Sequence, residues 1–280
     1  MPHPDELFNT AQHWLRVGRF DQAFFFYRAA LAKYQAMKQT SEVLDQSCRC
    51  CYLAAKASRF LGNEAEAEDL LMAAVRLAPS VPNALTRAGA FFTYGEFLVE
   101  HGRNNEAILH LQAALSLNDY PANGWRLLGV ALDECGKHTE AHSAFERALQ
   151  NDPFNPQVLY NLAVCLGYLN RVDDSREAFD QAIELSPAED HVFRAQAYNA
   201  RGGMLLAAGQ FEEAENSFLS AIQHDPKHDG AAFNLAHLLE KQGRDEEALH
   251  YWKKAVEFDP SDTTAAMRLK RLQSKLGVNR

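Results

Sequence analysis

Residues 122–155 read ANGWRLLGVALDECGKHTEAHSAFERALQNDPFN, and the next 34, residues 156–189, read PQVLYNLAVCLGYLNRVDDSREAFDQAIELSPAE. Superposed, they place Gly129 on Ala163, Ala141 on Ser175, Phe145 on Phe179, Ala148 on Ala182 and Pro153 on Pro187. Each stretch carries two apolar runs at helical spacing, such as Trp125, Leu128, Leu132 followed by Ala141, Phe145, Ala148. Between the runs stands Gly136 or Asn170, residue types that close a helix in the left-handed conformation. A proline follows the second run, where it stops one helix and opens the next block. The unit is therefore helix, tight turn, helix, stop.

The same frame fits the chain on both sides. Blocks starting at Pro4, Cys48, Ala88, Ala122, Pro156, Ala195 and Asp229 align in a small column, Ala11, Ala55, Gly95, Gly129, Ala163, Gly202, Ala236. A second small column is Ala23, Ala67, Ala107, Ala141, Ser175, Ala214, Ala248, and a third is Ala throughout: Ala30, Ala74, Ala114, Ala148, Ala182, Ala221, Ala255. A large apolar column, Tyr27, Leu71, Leu111, Phe145, Phe179, Phe218, Trp252, runs between these two. Small side chains let two helices approach where they cross, and the large one fills the space beside them. One such pair cannot bury its apolar stripe alone, so neighbours must stack.

On these residues the chain resembles the tetratricopeptide repeat family. Seven blocks of 34 make 238 of the 280 residues, at 4–37, 48–81, 88–121, 122–155, 156–189, 195–228 and 229–262, with a capping helix at 263–277. The resemblance implies an all-α, right-handed solenoid of antiparallel helix pairs, a single superhelix over residues 1–280. It also implies that the first helix of each pair lines a concave face, where extended peptides or partner helices bind. Departures are local. Gln35 stands where the first block should close with proline, the third block has Asp119 with proline two residues later, and Cys51 replaces the bulky residue found at Trp125.

Three spacings exceed 34. The insert Ala32–Ser47, AKYQAMKQTSEVLDQS, holds no Gly or Pro and is expected to lengthen both flanking helices rather than form a loop. Ser80–Arg87 and Ala188–Arg194 are expected to add a turn or more to the helix that follows each. The tail Thr263–Gly277 reads as a polar-backed cap of the kind a solenoid needs. Its Arg268, Lys270, Arg271 and Lys275 suit either solvent or an acidic partner. The N-terminus offers instead Phe24, Phe25, Phe26 and Tyr27 in succession. Four aromatics point all round a helix, so at least one faces outward as an association patch unless the long neighbouring helix covers it.

Composition bounds the function. Lys and Arg number 28 against 37 Asp and Glu, a formal charge of −9, which disfavours nucleic acid, whose phosphates need a concentrated basic surface. No run of 18 apolar residues exists to span a membrane, and the start MPHPDELFN lacks the pattern of a signal peptide. Five cysteines (Cys48, Cys50, Cys51, Cys135, Cys165) are an odd number, three of them within four positions. That fits a reducing cytoplasm better than a disulfide framework.

No P-loop, dinucleotide fingerprint or nucleophile elbow is present, and the reading is non-catalytic, with no cofactor and no metal. His138 and His142 lie four apart but lack an evident third ligand. Cys48 and Cys51 share a helix side without a second cysteine pair. Gly202-Gly203 reads as close packing.

The expected function is an adaptor or scaffold that holds a segment of another protein in its groove. The candidate groove residues are Phe8, Asn9, Tyr52, Lys56, Phe92, Arg126, Tyr160, Asn161, Asn199, Phe233, Asn234 and Arg268. Asn amides can pair with a peptide backbone, and aromatic faces offer apolar anchors. The same aromatics suit packing within their own pair, and both roles stay open; Asn161 and Asn234 are better placed, since amides add little to a helix interior. Groove charge is mixed: Arg49, Lys56 and Arg59 early, then Glu96, Glu100, Asp133 and Glu134. The Lys and Asn pattern with which some family members clamp a chaperone C-terminus is broken here. One window has Asn199, Gly203 and Thr264 where Lys, Asn and Lys are needed, the other Val130, Gln196 and Ala200. The alternative is an assembly subunit that associates through the N-terminal aromatics or the convex face.

Overall fold

A computed structural model describes residues 2–118 and 122–278, in which fifteen α-helices follow one another without a strand among the described residues. Seven antiparallel pairs form in chain order. They are α1 (Pro4–Arg16) with α2 (Phe20–Gln35), α3 (Ser41–Phe60) with α4 (Glu64–Leu77), α5 (Ala84–Glu100) with α6 (Asn104–Leu117), and α7 (Ala122–Glu134) with α8 (His138–Asn151). There follow α9 (Pro156–Tyr168) with α10 (Val172–Leu185), α11 (His191–Ala207) with α12 (Phe211–His224), α13 (Asp229–Lys241) with α14 (Asp245–Phe258), and last α15 (Thr263–Leu276). The chain divides into two compact units, Met1–Asn151 and Asp152–Arg280. Each is an all-α repeat solenoid segment. The third-block departure at Asp119 and its proline lies outside the described residues.

The turn chemistry is as the repeat requires. Gly18, Gly62, Gly102, Gly136, Gly209 and Gly243 all take positive φ, and among the described residues Asn170, at φ 58°, is the positive-φ residue other than glycine. At Gly136 the backbone N–H of Lys137 reaches back to Leu132 O at 2.9 Å, and at Asn170 Arg171 N–H reaches Leu166 O at the same distance. These bonds satisfy carbonyls that a helix end leaves open.

The small and large columns meet inside each pair. Tyr27, Leu71, Leu111, Phe145, Phe179, Phe218 and Trp252 are all essentially without solvent contact. So are the two small columns of the second helix. Ser175 keeps its place among alanines by donating its hydroxyl to Ala163 O at 2.7 Å. A Cβ on Gly129 would lie 2.5 Å from Phe145 Cε1, on Gly202 2.6 Å from Phe218 Cε1, and on Gly95 2.7 Å from Leu111 Cγ. Gly203 differs from its neighbour, because a Cβ there would meet nothing within 4 Å. Only the first of the two adjacent glycines serves close packing.

The inserts lengthen helices. α5 and α11 each run 17 residues against 13 in α7, α9 and α13, and start on Asn83 and Asp190 as side-chain caps. Arg87 and Arg194, at equivalent places in the added turns, bond back along the chain, Arg87 to Val81 O in the linker at 2.9 Å and Arg194 to Ile183 O in the last turn of α10 at 2.9 Å. α2 extends to 16 residues and α3 to 20, yet a break at 36–40 separates them where no loop was expected. Side chains close it in place of Gly or Pro. The Gln39 amide donates to Tyr34 O (3.2 Å) and Met37 O (2.9 Å), and Thr40 caps α3 at Val43 N–H.

Within each unit the first helices of successive pairs pack on one another, α3 on α5 and α5 on α7, then α9 on α11 and α11 on α13. No second helix packs to that extent on the next second helix. Closer spacing on the first-helix side makes that side the inner wall of each segment. The wider outer gap is bridged by long side chains. Arg103, at the start of α6, pairs with Glu68 of α4 and, at 2.8 Å, with Glu106. Arg244 at the start of α14 reaches Glu215 of α12 at 2.6 Å and Glu247 at 2.7 Å. These carboxylates hold both guanidiniums above their ordinary range, with the Glu106 and Glu247 hydrogen bonds as the largest cause.

Candidate functional site

In the five blocks whose large residue is a ring, the residue three places before the small column goes with how that column is filled; Tyr52 with Ala55 and Phe92 with Gly95, whose large residues are Leu71 and Leu111, lie outside this pattern. At three of the five an aromatic ring meets the large residue edge-on: Phe8 on Tyr27 (centroids 5.6 Å), Tyr160 on Phe179 (5.8 Å), Phe233 on Trp252 (4.9 Å). The large ring is then held off the first helix and an alanine fits, at Ala11, Ala163 and Ala236. Where the residue three places before is Arg126 or Asn199, the rings of Phe145 and Phe218 lean over the helix, and only Gly129 and Gly202 leave room. The edge-on geometry is itself a favourable aromatic contact. The packing role left open for the aromatics is thus taken by Phe8, Tyr160 and Phe233. Phe8 is buried under Arg49, whose guanidinium lies 4.9 Å from its ring, while Tyr52, Phe92, Tyr160 and Phe233 are half-buried.

The polar candidates are also divided. Asn234 Nδ2 donates to Asn199 Oδ1 at 2.9 Å, linking α13 to α11, so these amides serve the stack. Asn161 Nδ2 is buried with no acceptor. A buried donor without a partner costs on the order of 1–3 kcal/mol; with this nitrogen out of solvent contact, an acceptor from outside would meet it only after the side chain turned outward. Asn9 and Lys56 are exposed. Arg126 donates to Asn123 Oδ1 at 2.8 and 3.0 Å, and burial lowers its pKa while Glu96 opposes the shift. Arg59 pairs with Glu96 at 3.7 Å and with Glu100, which removes much of the charge contrast expected between those segments.

A cavity of about 450 Å³ opens on the inner wall of the second unit. Tyr160, Val164, Gly167 and Tyr168 of α9, Val172 and Phe179 of α10, and Ala200, Gly203, Met204 and Ala207 of α11 line it, with Asn170 and Ala208 at the turns. No charged residue is among them. Burial pushes the Tyr160 hydroxyl above its ordinary pKa. Tyr168 is 67% exposed. The cavity exists because one stripe of α11 is missing its side chains. Thirty-four residues on, Ala200, Gly203 and Ala207 correspond to Asn234, His237 and Lys241. That contrast was readable in the sequence as a run of small residues at helical spacing. What was missed is that Tyr168, Val172 and Met204 complete the wall, since they fall outside the columns that repeat.

The two histidines singled out in the sequence each lie beside a carboxylate of the chain. His138 Nδ1 lies 2.7 Å from Asp133 Oδ1 and His142 Nδ1 3.6 Å from Glu146 Oε2. Among the described residues no group of three or more His, Cys, Asp or Glu converges as a metal site. Cys48, Cys50 and Cys51 are all buried and unbridged, and burial pushes the Cys48 and Cys51 thiols up to about 12. Three of the four basic residues named for the cap pair with carboxylates of the chain itself. Arg268 and Arg271 both face Glu240 of α13, and Lys275 faces Asp245 of α14. At the other end, Phe24 sits under Arg28 and Phe26 meets Phe25 edge-on, while Phe25 stays 64% exposed. α3 does not cover it. No helix among the described residues is long and apolar enough to cross a membrane.

Comparison with known proteins accords with this architecture. Over 131 residues the chain is 29% identical to "Superkiller protein 3" of Schizosaccharomyces pombe, a match covering 43% of this chain and 9% of that protein. Over 189 residues it is 28% identical to "Protein O-mannosyl-transferase TMTC1" of Homo sapiens, covering 59% of this chain and 21% of that protein. The chain thus spans a minor part of the curated relatives it matches. A crystal structure of a tetratricopeptide repeat protein from Parabacteroides merdae superposes with a TM-score of 0.66 at 16% identity, covering 96% of this chain and 98% of that one. Four family profiles described as tetratricopeptide repeat match residues 49–81, 95–156, 156–227 and 205–277. With the left-handed turns and the small and large columns in place, the chain belongs to the tetratricopeptide repeat family.

Proposed function

We propose that the protein is a non-catalytic scaffold that binds a segment of another protein along the inner wall formed by its first helices. Tetratricopeptide repeats suggest protein–protein interaction in general, and fold alone does not specify a partner. The observation that carries the narrower reading is Asn161, an amide on that wall whose donor the chain's own atoms leave unused. An extended backbone offers carbonyl acceptors at regular intervals and would use it without regard to sequence. Asn161→Ala tests this directly. Binding of partner segments is expected to weaken several-fold while helicity and melting temperature hold, because no internal hydrogen bond of that Nδ2 is lost. Unchanged binding would remove the amide from the site. Asn234→Ala is not an equivalent test, since it also breaks the bond to Asn199.

A second reading, self-association, is favoured by Phe25 alone. Light scattering of a Phe25→Ser chain is expected to show a smaller mass than the native chain if that ring joins copies, and an equal mass would remove the patch.

A further inference from the structure

The cavity walled by α9, α10 and α11 has a definite chemistry. Its lining offers rings at Tyr160, Tyr168 and Phe179, the thioether of Met204 and the aliphatic faces of Val164 and Val172, and no charge. At about 450 Å³ it falls within the range of sites that bury a ligand group, about 300–1,000 Å³. A charged side chain entering it would lose hydration with nothing to replace it. A ring would meet edges and faces of other rings and a polarizable sulfur, all favourable partners. Asn161 lies three residues before Val164 on α9, one helical turn along the same stripe. Asn161 is not itself in the lining, but turned outward from its buried position its unused donor would stand beside the chamber, and the two together suit an occupant that carries both a ring and a nearby carbonyl. An aromatic residue in an extended polypeptide carries both.

We propose that this cavity receives one aromatic side chain of an extended partner segment and that Gly203 is the residue that keeps it open. The proposal rests on the reading of the inner wall as the partner-binding face and adds the side-chain preference of that face. Gly203 is suited to the role because a Cβ there meets nothing within 4 Å. A larger residue would enter the chamber without disturbing the pair α11–α12, whose contact is made by Gly202 against Phe218.

The test uses the full chain and a displayed library of random twelve-residue peptides. Enriched peptides are expected to share one Phe, Tyr or Trp. For one of them, replacing that residue by Ala is expected to weaken binding at least tenfold, and Gly203→Leu in the protein at least tenfold. The two changes together are expected to cost no more than either alone, because both empty the same contact. Gly203→Ala serves as the control that retains binding, and circular dichroism of Gly203→Leu checks the fold. Enriched peptides without a shared aromatic, or equal binding by Gly203→Leu, would overturn the pocket proposal; if Asn161→Ala still weakened those peptides, the inner-wall reading would survive. Free N-acetyltryptophanamide binding as tightly as the peptides would make the chamber a small-molecule site and overturn the proposal. Enrichment of no peptide at all would overturn both.

Discussion

Replacing each of the adjacent glycines Gly202 and Gly203 by alanine should move stability in opposite directions. Both lie inside α11, so each substitution gains about 0.5–1 kcal/mol from the lower chain entropy of alanine in a helix. For Gly203 nothing opposes the gain, since the new methyl has open space around it. For Gly202 the methyl would sit 2.6 Å from Phe218 Cε1 and 2.7 Å from Cδ1, so a fully buried ring must shift by most of an ångström. Overpacking of this kind costs about 1–3 kcal/mol, leaving a net loss of about 1–2 kcal/mol. The two variants should therefore differ by about 1–3 kcal/mol, since the helix gain is common to both and the overpacking falls at one site alone. Urea unfolding followed by circular dichroism reads the difference, and amide exchange in α11 and α12 locates it. Shifts of the same sign, or within about 0.5 kcal/mol of each other, would refute the claim that the neighbours face different surroundings.

Other expectations follow from the same geometry. Gly129→Ala should destabilise the first unit by about 1–2 kcal/mol for the same reason as Gly202, and Arg126→Tyr in that background should restore part of the loss by turning Phe145 edge-on; no recovery in the urea midpoint would count against the coupling. Arg244→Ala should cost no more than about 1 kcal/mol, since its partly exposed pairs are screened, and the cost should shrink in 1 M salt, as melting curves at two ionic strengths would show. Glu240→Gln leaves Arg268 and Arg271 facing a neutral amide, so amide exchange in α15 should quicken while α9 and α10 are unaffected. Burial is the largest cause lowering the pKa of His110 and His224 from 6.5, with Arg103 acting alongside on the first and Arg194 and His191 on the second. Their unfolded forms bind protons first, so stability should fall as pH drops below about 6.5, and replacing both by Gln should flatten the urea midpoint across that window.

Periodic positions were legible before any coordinates, because each repeats its physical task seven times. The left-handed turn at Asn170 was read from its place in the glycine column, and the extra turns of α5 and α11 from Ser80–Arg87 and Ala188–Arg194. The break at 36–40 was not, because it is closed by the side chains of Gln39 and Thr40 rather than by residues that mark a turn. The fate of the amides was equally hidden. Asn161 and Asn234 occupy one column, yet one is orphaned and the other bonds Asn199; the residue thirty-five places earlier differs, Arg126 for the first and Asn199 for the second. The basic face of α15 looked available in sequence, and only packing showed Glu240 and Asp245 beneath it.

The dependence of the small column on the aromatic before it has a historical side. A chain that carries Gly129 with Arg126 cannot reach the alanine-and-tyrosine arrangement of Tyr160 with Ala163 by changing the glycine first, because that intermediate is strained. Taking the tyrosine first passes through a state that is tolerated. The order of steps between these two versions of the repeat is thereby restricted wherever the large column holds a ring, and a leucine there, as at Leu111 behind Phe92 and Gly95, falls outside the restriction.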